Sequence, residues 1–202
     1  MLSLGNMLSK YGLLGSFKLF LSLIYTKLFY GKARLIRLPV DIRNSKYISI
    51  GKNLTTGVGC RFEACPTTDI CTLHMGENIQ MNDYVHITAM ESVSIGNNVL
   101  IASKVYISDC SHGNYSEGKD FSHPDTPPVE RQLYSKRVII EDNVWIGEFV
   151  SILPGVVIGK GAIIGTMSVV NKSIPSYCIA VGSPAKVIKK FNFVTRTWEK
   201  HI

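Results

Sequence analysis

Aliphatic residues recur at every sixth position along the second half of the chain. The unbroken series consists of Ile140, Ile146, Ile152, Ile158, Ile164 and Val170. The fifth place of each unit is also small or aliphatic, as Val144, Val150, Val156, Ala162 and Ser168. Two shorter series have the same period, namely Ile95, Ile101 and Ile107 and, offset by two residues, Met75, Met81 and Ile87. The chain therefore repeats a six-residue unit over much of its length.

A period of six fits neither an amphipathic helix, with a period of about 3.6, nor a simple strand, with a period of about 2. A short strand followed by a turn does fit, because each unit then gives one large aliphatic side chain to an interior and one glycine or asparagine to a tight corner. Stacked units of this kind form a parallel β-helix whose coils lie about 4.8 Å apart. The pattern predicts an all-β fold with a parallel β-helix over residues 36–190 and a C-terminal tail over residues 191–202.

The largest interruption of the repeat lies between Ile107 and Ile140, which are 33 residues apart and so not a whole number of units. We interpret residues 108–137 as a loop extruded from one coil. The loop is polar and contains two histidines, His112 and His123. Loops of this length are commonly functional or disordered. We therefore expect a functional site in this loop.

The N-terminal segment, residues 1–35, is predicted to contain a helix over Leu13–Phe29. This stretch is apolar enough to resemble a signal or membrane segment, but Lys18 and Lys27 interrupt it and no small-residue cleavage site follows. A polar residue recurs at helical spacing and leaves a wide apolar face, as Ser16 or Lys18, Ser22 and Thr26. The amphipathic helix either packs on its own protein or an oligomer partner, or makes a peripheral contact with a membrane surface.

Composition narrows the partners without choosing among them. The 202 residues have a net charge of +7, which favours nucleic acid, anionic lipid or a phosphorylated small molecule as a partner. Five scattered cysteines without a C-x-x-C pair indicate neither a disulfide framework nor a zinc cluster, at Cys60, Cys65, Cys71, Cys110 and Cys178. A reducing compartment fits best, and we expect a cytoplasmic protein, including one at the inner face of the inner membrane.

The six-residue units, the segment VWIGEFVSILPGVVIGKGAIIG and the segment IAVGSPAKVIKK resemble the hexapeptide-repeat acyltransferases. Within them the chain is most similar to the sugar O-acetyltransferases of bacterial lipopolysaccharide O-antigen synthesis. The resemblance implies a left-handed β-helix and a homotrimer with sites between subunits. It also implies acetyl-CoA as cosubstrate, no required metal, no nucleic-acid partner, and a saccharide acceptor such as a lipid-linked O-antigen or capsule precursor.

The same resemblance implies catalytic and acceptor-binding roles for residues in and near the loop. His112, seventeen residues after Ile95, matches the family's catalytic histidine, and imidazole titrates near working pH, as a general base for a sugar hydroxyl should. Asn82, thirteen residues before Ile95, matches an asparagine beside the acceptor hydroxyl. Asp109 or a backbone carbonyl orients His112, unless Asp109 only caps a turn. His86 either lines the acceptor pocket or is a half-buried part of the wall.

The resemblance also places coenzyme A along the late coils. The matching residues are Trp145, Glu148, Thr166, Asn171, Lys172, Lys186 and Lys189. The lysines suit the pyrophosphate and the 3′-phosphate of the coenzyme. Two departures from the family pattern stand out. Met167 is bulky enough to narrow the pantetheine channel, and the Glu148 carboxylate would repel a phosphate.

Three other functions compete with sugar O-acetylation. Within the same class, serine or an amino sugar is the acceptor, although serine-specific relatives have a long helical domain for which about 35 residues are too few. A metal-dependent hydratase on the same fold needs three histidines that converge on zinc, and His86 and His112 lack that spacing. A non-catalytic β-helix would bind a surface or partner and no coenzyme A.

Overall fold

A computed structural model of the chain describes residues 4–115 and 121–201. The β-helix is built from short strands in three sheets. Sheet I contains β2 (Ile48–Ile50), β4 (Leu73–Met75), β7 (Val93–Ile95), β12 (Val138–Ile140) and β15 (Val157–Ile158). Sheet II contains β5 (Gln80–Met81), β8 (Leu100–Ile101), β13 (Trp145–Ile146), β16 (Ile163–Ile164) and β18 (Cys178–Val181). Sheet III contains β1 (Val40–Arg43), β3 (Cys60–Ala64), β6 (His86–Ala89), β9 (Tyr106–Ser108), β14 (Ser151–Ile152) and β17 (Val169–Val170).

The chain visits the sheets in a fixed order, I, then II, then III, and each round from β4 to β17 adds one parallel strand to each sheet. In the first round sheet II has only an isolated bridge at Thr55, and after β17 sheet I has only one at Ile174. The registers place the six-residue series in columns. Met75, Ile95, Ile140 and Ile158 pair in sheet I, and Met81, Ile101, Ile146 and Ile164 pair in sheet II. All of these side chains are buried in one core. The predicted parallel repeat is therefore confirmed, and each round is one coil.

Every departure from the period of six lies at one corner, where the chain leaves sheet III for sheet I. Steps from sheet I to II and from II to III are six residues long, as from Met75 to Met81 to Ile87. Steps from sheet III to I vary, with 13 residues from Phe62 to Met75 and 8 from Ile87 to Ile95. This second step explains the offset of two residues between the series. The predicted loop leaves at the same corner.

Side-chain amides stabilise the corner between sheets I and II. Asn53, Asn78, Asn98 and Asn143 each adopt a left-handed conformation with φ between 57° and 62°. Asparagine tolerates this conformation better than most residues. The amide of Asn53 donates to Asn78 over 2.9 Å, and that of Asn78 donates to Asn98 over 3.1 Å. The turns are thus joined by side chains as well as by the backbone.

The N-terminal helix α1 (Leu4–Phe29) is present, and non-helical φ and ψ at Gly12 divide it into two parts, the second of which begins at Leu13 as predicted. Its small polar residues face the β-helix, because Ser16, Ser22 and Thr26 are buried. Thr26 Oγ1 accepts a hydrogen bond from the Ile36 N–H over 2.8 Å, and Ser22 Oγ accepts one from the Leu38 N–H over 3.1 Å. The amphipathic pattern is therefore inverted. The polar stripe packs inward and the apolar face points away from the protein.

The C-terminal residues form a hairpin on sheet II. Strands β19 (Lys186–Asn192) and β20 (Thr197–Lys200) pair antiparallel, and β19 also pairs with β18. The Phe191 ring lies 5.0 Å from that of Phe193 and 5.3 Å from that of Trp198. Strand β19 crosses the predicted boundary at residue 190, so the segment predicted as a tail has regular structure.

Candidate active site

The loop at the corner between sheets III and I starts and ends as a two-stranded ladder. Strand β10 (Cys110–His112) pairs antiparallel with β11 (Leu133–Ser135), and His112 lies opposite Leu133. A short 3₁₀ turn, Pro128–Glu130, precedes β11. The side chain of His112 is exposed. The ladder therefore presents His112 to solvent on a regular backbone rather than on an irregular one.

Asp109 attaches this ladder to the β-helix. Its fully buried carboxylate accepts hydrogen bonds from the backbone N–H groups of Met90, Glu91 and Ser92, over 2.7–2.8 Å. Its carbonyl accepts another from the Lys136 N–H over 2.8 Å. Burial raises the pKa of the Asp109 carboxyl, although the three N–H groups act in the opposite direction. The sequence left open whether Asp109 orients His112 or caps a turn. These hydrogen bonds show that Asp109 anchors the loop to the β-helix.

The backbone at His112 is held by Arg131 from the second arm of the loop, shortly before β11. Arg131 donates hydrogen bonds to the carbonyls of Thr126 and Pro124 over 2.8 and 2.9 Å, and to the Tyr115 hydroxyl over 2.7 Å. The Tyr115 hydroxyl donates in turn to the His112 carbonyl. Sequence reasoning missed Tyr115 and Arg131. The nearest signal was the glycine after His112.

Gly113 is required by this arrangement. Its φ is +108°, which L-residues rarely adopt, and a Cβ atom there would lie 2.6 Å from the Tyr115 hydroxyl oxygen. Its N–H lies within 3.1 Å of the carbonyls of Ser111 and Gln132. A turn without a side chain thus brings Tyr115 back onto the His112 carbonyl.

A cavity of about 460 Å³ lies beside this ladder. It is lined by amide, hydroxyl and aromatic side chains and one leucine from both arms of the loop, namely Asn114, Phe121, Ser122, Gln132, Leu133 and Tyr134. Leu133 connects the cavity wall to the strand position opposite His112. Amide groups offer both donors and acceptors to hydroxyls, and aromatic faces suit an apolar ring face.

The predicted site residues divide between two corners of the β-helix. His112, Asp109, Asn171 and Lys172 lie where sheet III passes to sheet I, with Asn171 and Lys172 directly after β17. The two groups on this corner are two coils, or about 10 Å, apart along the axis. Asn82, Glu148 and Thr166 lie where sheet II passes to sheet III, and Lys186 pairs with Val181 at the same corner. Glu148 and Thr166 are on adjacent coils, whereas the coil that contains β8 separates Asn82 from Glu148.

The strands of sheet III separate the two corners within one chain. The four residues of β6 alone span roughly 10 Å. The structure therefore does not bring Asn82 and His112 together along a single coil. Trp145 and Lys189 lie on sheet II itself, where Trp145 is half exposed. Met167 is exposed beside Thr166, and its N–H donates to the Glu148 carbonyl over 2.8 Å.

His86 lies on sheet III between the two corners. Its side chain is half-buried beside the Tyr106 ring, with ring centres 5.4 Å apart, and its Nε2 lies 3.1 Å from Thr88 Oγ1. Burial lowers the pKa of His86, and the positive charge of Arg61 on the next strand lowers it further. These contacts agree with a wall residue and leave a role in acceptor binding as a prediction.

Metal ligation and thiol chemistry receive no support from the described residues. Across residues 4–115 and 121–201, no three His, Cys, Asp or Glu side chains come together as a metal site would require. All five cysteines are free, and burial raises the pKa of the Cys110 thiol, which lies two residues from His112. A thiol with a raised pKa is a weaker nucleophile at neutral pH because less of it is thiolate.

Comparison with known proteins agrees with this architecture. Residues 137–172 match the family model described as bacterial transferase hexapeptide (six repeats). The chain is 45% identical over 191 residues to WbbJ of Escherichia coli K12, a protein assigned to lipopolysaccharide biosynthesis as an O-acetyl transferase, covering 95% of this chain and 96% of that protein. It is 38% identical over 120 residues to the E. coli K12 galactoside O-acetyltransferase, covering 59% of this chain and 55% of that one.

Solved structures show the same fold. The N-acyltransferase AntD of Bacillus cereus, as a point mutant in complex with dTDP-4-amino-4,6-dideoxyglucose and coenzyme A, superposes with a TM-score of 0.66 at 25% identity. The superposition covers 81% of this chain and 85% of AntD. AntD with dTDP and 3-hydroxybutyryl-CoA gives a TM-score of 0.64 at 26% identity, over 78% of this chain and 81% of that one. Given the relative that matches along almost its entire length, the chain belongs to the hexapeptide-repeat acyltransferase family.

Proposed function

We propose that the protein transfers an acetyl group from acetyl-CoA to a hydroxyl group of a saccharide. Membership of the family makes it an acyltransferase that uses a coenzyme A thioester. The observation that supports hydroxyl activation most directly is the exposed His112 on a ladder anchored at Asp109 and at Arg131, beside a cavity of about 460 Å³. The fold proposed for the three sheets is the left-handed prism of the family.

The reaction follows from placing a hydroxyl next to His112. The imidazole accepts the hydroxyl proton while the oxygen attacks the thioester carbonyl, which gives a tetrahedral intermediate with a negative oxygen. The intermediate collapses to the acetyl ester and expels the coenzyme A sulfur, which takes up the proton from His112. No acyl-enzyme is needed because the thioester is already activated. Donor and acceptor therefore react in one ternary complex.

The acceptor that we propose is a saccharide with a free hydroxyl group. The lining amides and aromatic rings suit a sugar, and the similarity to WbbJ along almost the whole chain favours an O-antigen or capsule precursor made in the cytoplasm. An amino sugar is the second candidate, because AntD was crystallised with one. We expect the purified enzyme to acetylate a saccharide to a product that hydroxylamine cleaves. A product that survives hydroxylamine is an amide and would favour the amino sugar.

We propose that the enzyme is a homotrimer. The two groups of predicted site residues lie on different corners of one chain, and a ring of three copies can bring one corner of each copy next to the other corner of its neighbour. Light scattering is expected to give three times the chain mass of 22.4 kDa. A monomer with full activity would contradict both the trimer and a site shared between copies.

Replacing Lys186 with alanine is expected to raise the KM for acetyl-CoA by about tenfold, because a charge-assisted hydrogen bond to phosphate is lost. Turnover at saturating acetyl-CoA is expected to change little, since the lysine is proposed to contact the phosphates of the coenzyme and not its thioester. Lys160→Ala is the matched control, as it removes an exposed lysine at the corner between sheets I and II. Equal KM values for acetyl-CoA in the two variants would show that Lys186 does not bind the coenzyme.

A further inference from the structure

Helix α1 has a broad apolar face that the rest of the chain does not cover. The exposed side chains include four large ones, with exposed fractions of 81% for Leu13, 58% for Phe17, 55% for Phe20 and 72% for Leu28. Leu21 and Ile24 are also exposed on this face. At about 100° per residue, all six side chains fall within roughly a third of the helix circumference. We call these six residues the α1 face.

The side of α1 opposite this face packs against the rest of the protein. Ser22 and Thr26 bond to the backbone of residues 36 and 38, and Leu19 is buried between them and Ser16. These contacts hold the helix along the first coil, so that the α1 face points outward as a surface. Residues Leu8–Phe29 are long and apolar enough to cross a membrane. A membrane-spanning orientation would have to break the hydrogen bonds of Ser22 and Thr26.

The charge of the chain is concentrated around this helix. Residues 1–40 contain six of the 22 basic residues and none of the 15 acidic ones, so residues 41–202 have a net charge of only +1. Lys18 and Lys27 lie on opposite sides of the α1 face, roughly 110° and 70° from its middle. Both are exposed. Flanking lysines of this kind can extend toward lipid phosphates while the apolar side chains enter the acyl boundary.

We propose that α1 docks the enzyme on the surface of an anionic lipid bilayer, with the helix lying in the plane of the interface. Apolar burial and attraction of basic residues to anionic headgroups act together in such binding. A second copy of the chain fits less well. Two α1 faces in contact would bring two sets of six basic residues together without any acidic residue from these segments. This docking is independent of the acetyl-transfer chemistry.

The test is flotation of the full-length protein with vesicles. Vesicles that contain phosphatidylglycerol are expected to carry the protein, and high salt or vesicles of phosphatidylcholine alone are expected to weaken this binding. A variant with Leu13→Ser, Phe17→Ser and Phe20→Ser is expected to lose binding by about tenfold or more. A variant with Lys18→Gln and Lys27→Gln keeps the apolar face and is expected to lose most of the preference for phosphatidylglycerol.

The matched control replaces Phe193 and Val194 with serine. These residues are 63% and 93% exposed in the turn of the C-terminal hairpin, away from α1. Acetyltransferase activity on a soluble acceptor and the thermal melting curve report whether each variant is folded. Equal vesicle binding by the wild type and the triple variant would overturn the proposal. So would retention in the membrane after alkaline extraction, which indicates a span, or a triple variant that changes only the oligomeric state.

Discussion

Replacing His112 with alanine is expected to lower kcat by about a hundredfold or more, which is a common loss when a general base is removed. A neutral sugar hydroxyl is a poor nucleophile, and the residue opposite His112 on the β10–β11 ladder is Leu133, which cannot accept a proton. The affinity for acetyl-CoA is expected to survive, because the proposed phosphate contacts lie with the lysines of the late coils. Steady-state kinetics on a defined saccharide, normalised to folded protein, measures both quantities.

His86→Ala is the matched control for this experiment. His86 is half-buried on sheet III, and its bond to Thr88 and its contact with the Tyr106 ring give it a place in the wall. Its removal is expected to change kcat far less than removal of His112. Near-normal turnover by His112→Ala together with a large loss for His86→Ala would reverse the assignment of the base.

Replacing Asp109 with alanine is expected to release the loop from the β-helix. Three backbone N–H groups, those of Met90, Glu91 and Ser92, would lose the buried carboxylate that accepts their hydrogen bonds. The expected cost is roughly 3 kcal/mol, since a hydrogen bond to a charged group contributes about 1.5–3 kcal/mol and water can replace part of this at the partly exposed segment 90–92. Faster hydrogen exchange at these three amides and a lower kcat are the expected signs, with acetyl-CoA affinity retained.

Asp125→Ala is the matched control for Asp109. Asp125 belongs to the same loop, but its carboxylate is 91% exposed beside His123, and surface pairs of this kind contribute little. The control variant is expected to have the same hydrogen-exchange rates and the same kcat as the wild type. If Asp109→Ala leaves hydrogen exchange at residues 90–92 unchanged, the anchor is not what holds the ladder.

The repeat and its core were predictable because every unit must place one large aliphatic side chain in the interior and then turn a corner. This shared constraint imposes the period of six. The pairing of Met75 with Ile95 illustrates the limit, because the offset of two residues looked like a separate series until the register showed an insertion at one corner. Local spacing determines where a strand turns. It does not determine how many residues a corner can extrude.

The parts that sequence could not predict depend on contacts between distant segments. The anchoring role of Asp109 requires three amides 17 to 19 residues away, and the support of His112 requires Arg131 from the far end of the loop. The sequence also could not predict which face of α1 packs against the β-helix. Periodicity identifies two faces of a helix, but Ser22 and Thr26 turn inward only because Leu38 and Ile36 offer them backbone partners.

The corner between sheets III and I has a consequence for how enzymes of this architecture can change. All variation in coil length falls there, and the two ends of the long loop meet where the Lys136 N–H donates to the Asp109 carbonyl over 2.8 Å. A segment inserted between adjacent ends leaves the registers of the three sheets untouched, and each doubling of loop length costs only about 0.6 kcal/mol of closure entropy. Recombination at this corner can therefore exchange the whole loop that we propose to recognise the acceptor, while the coils proposed to bind the donor are inherited unchanged. Acceptor preference would then diverge faster than the scaffold.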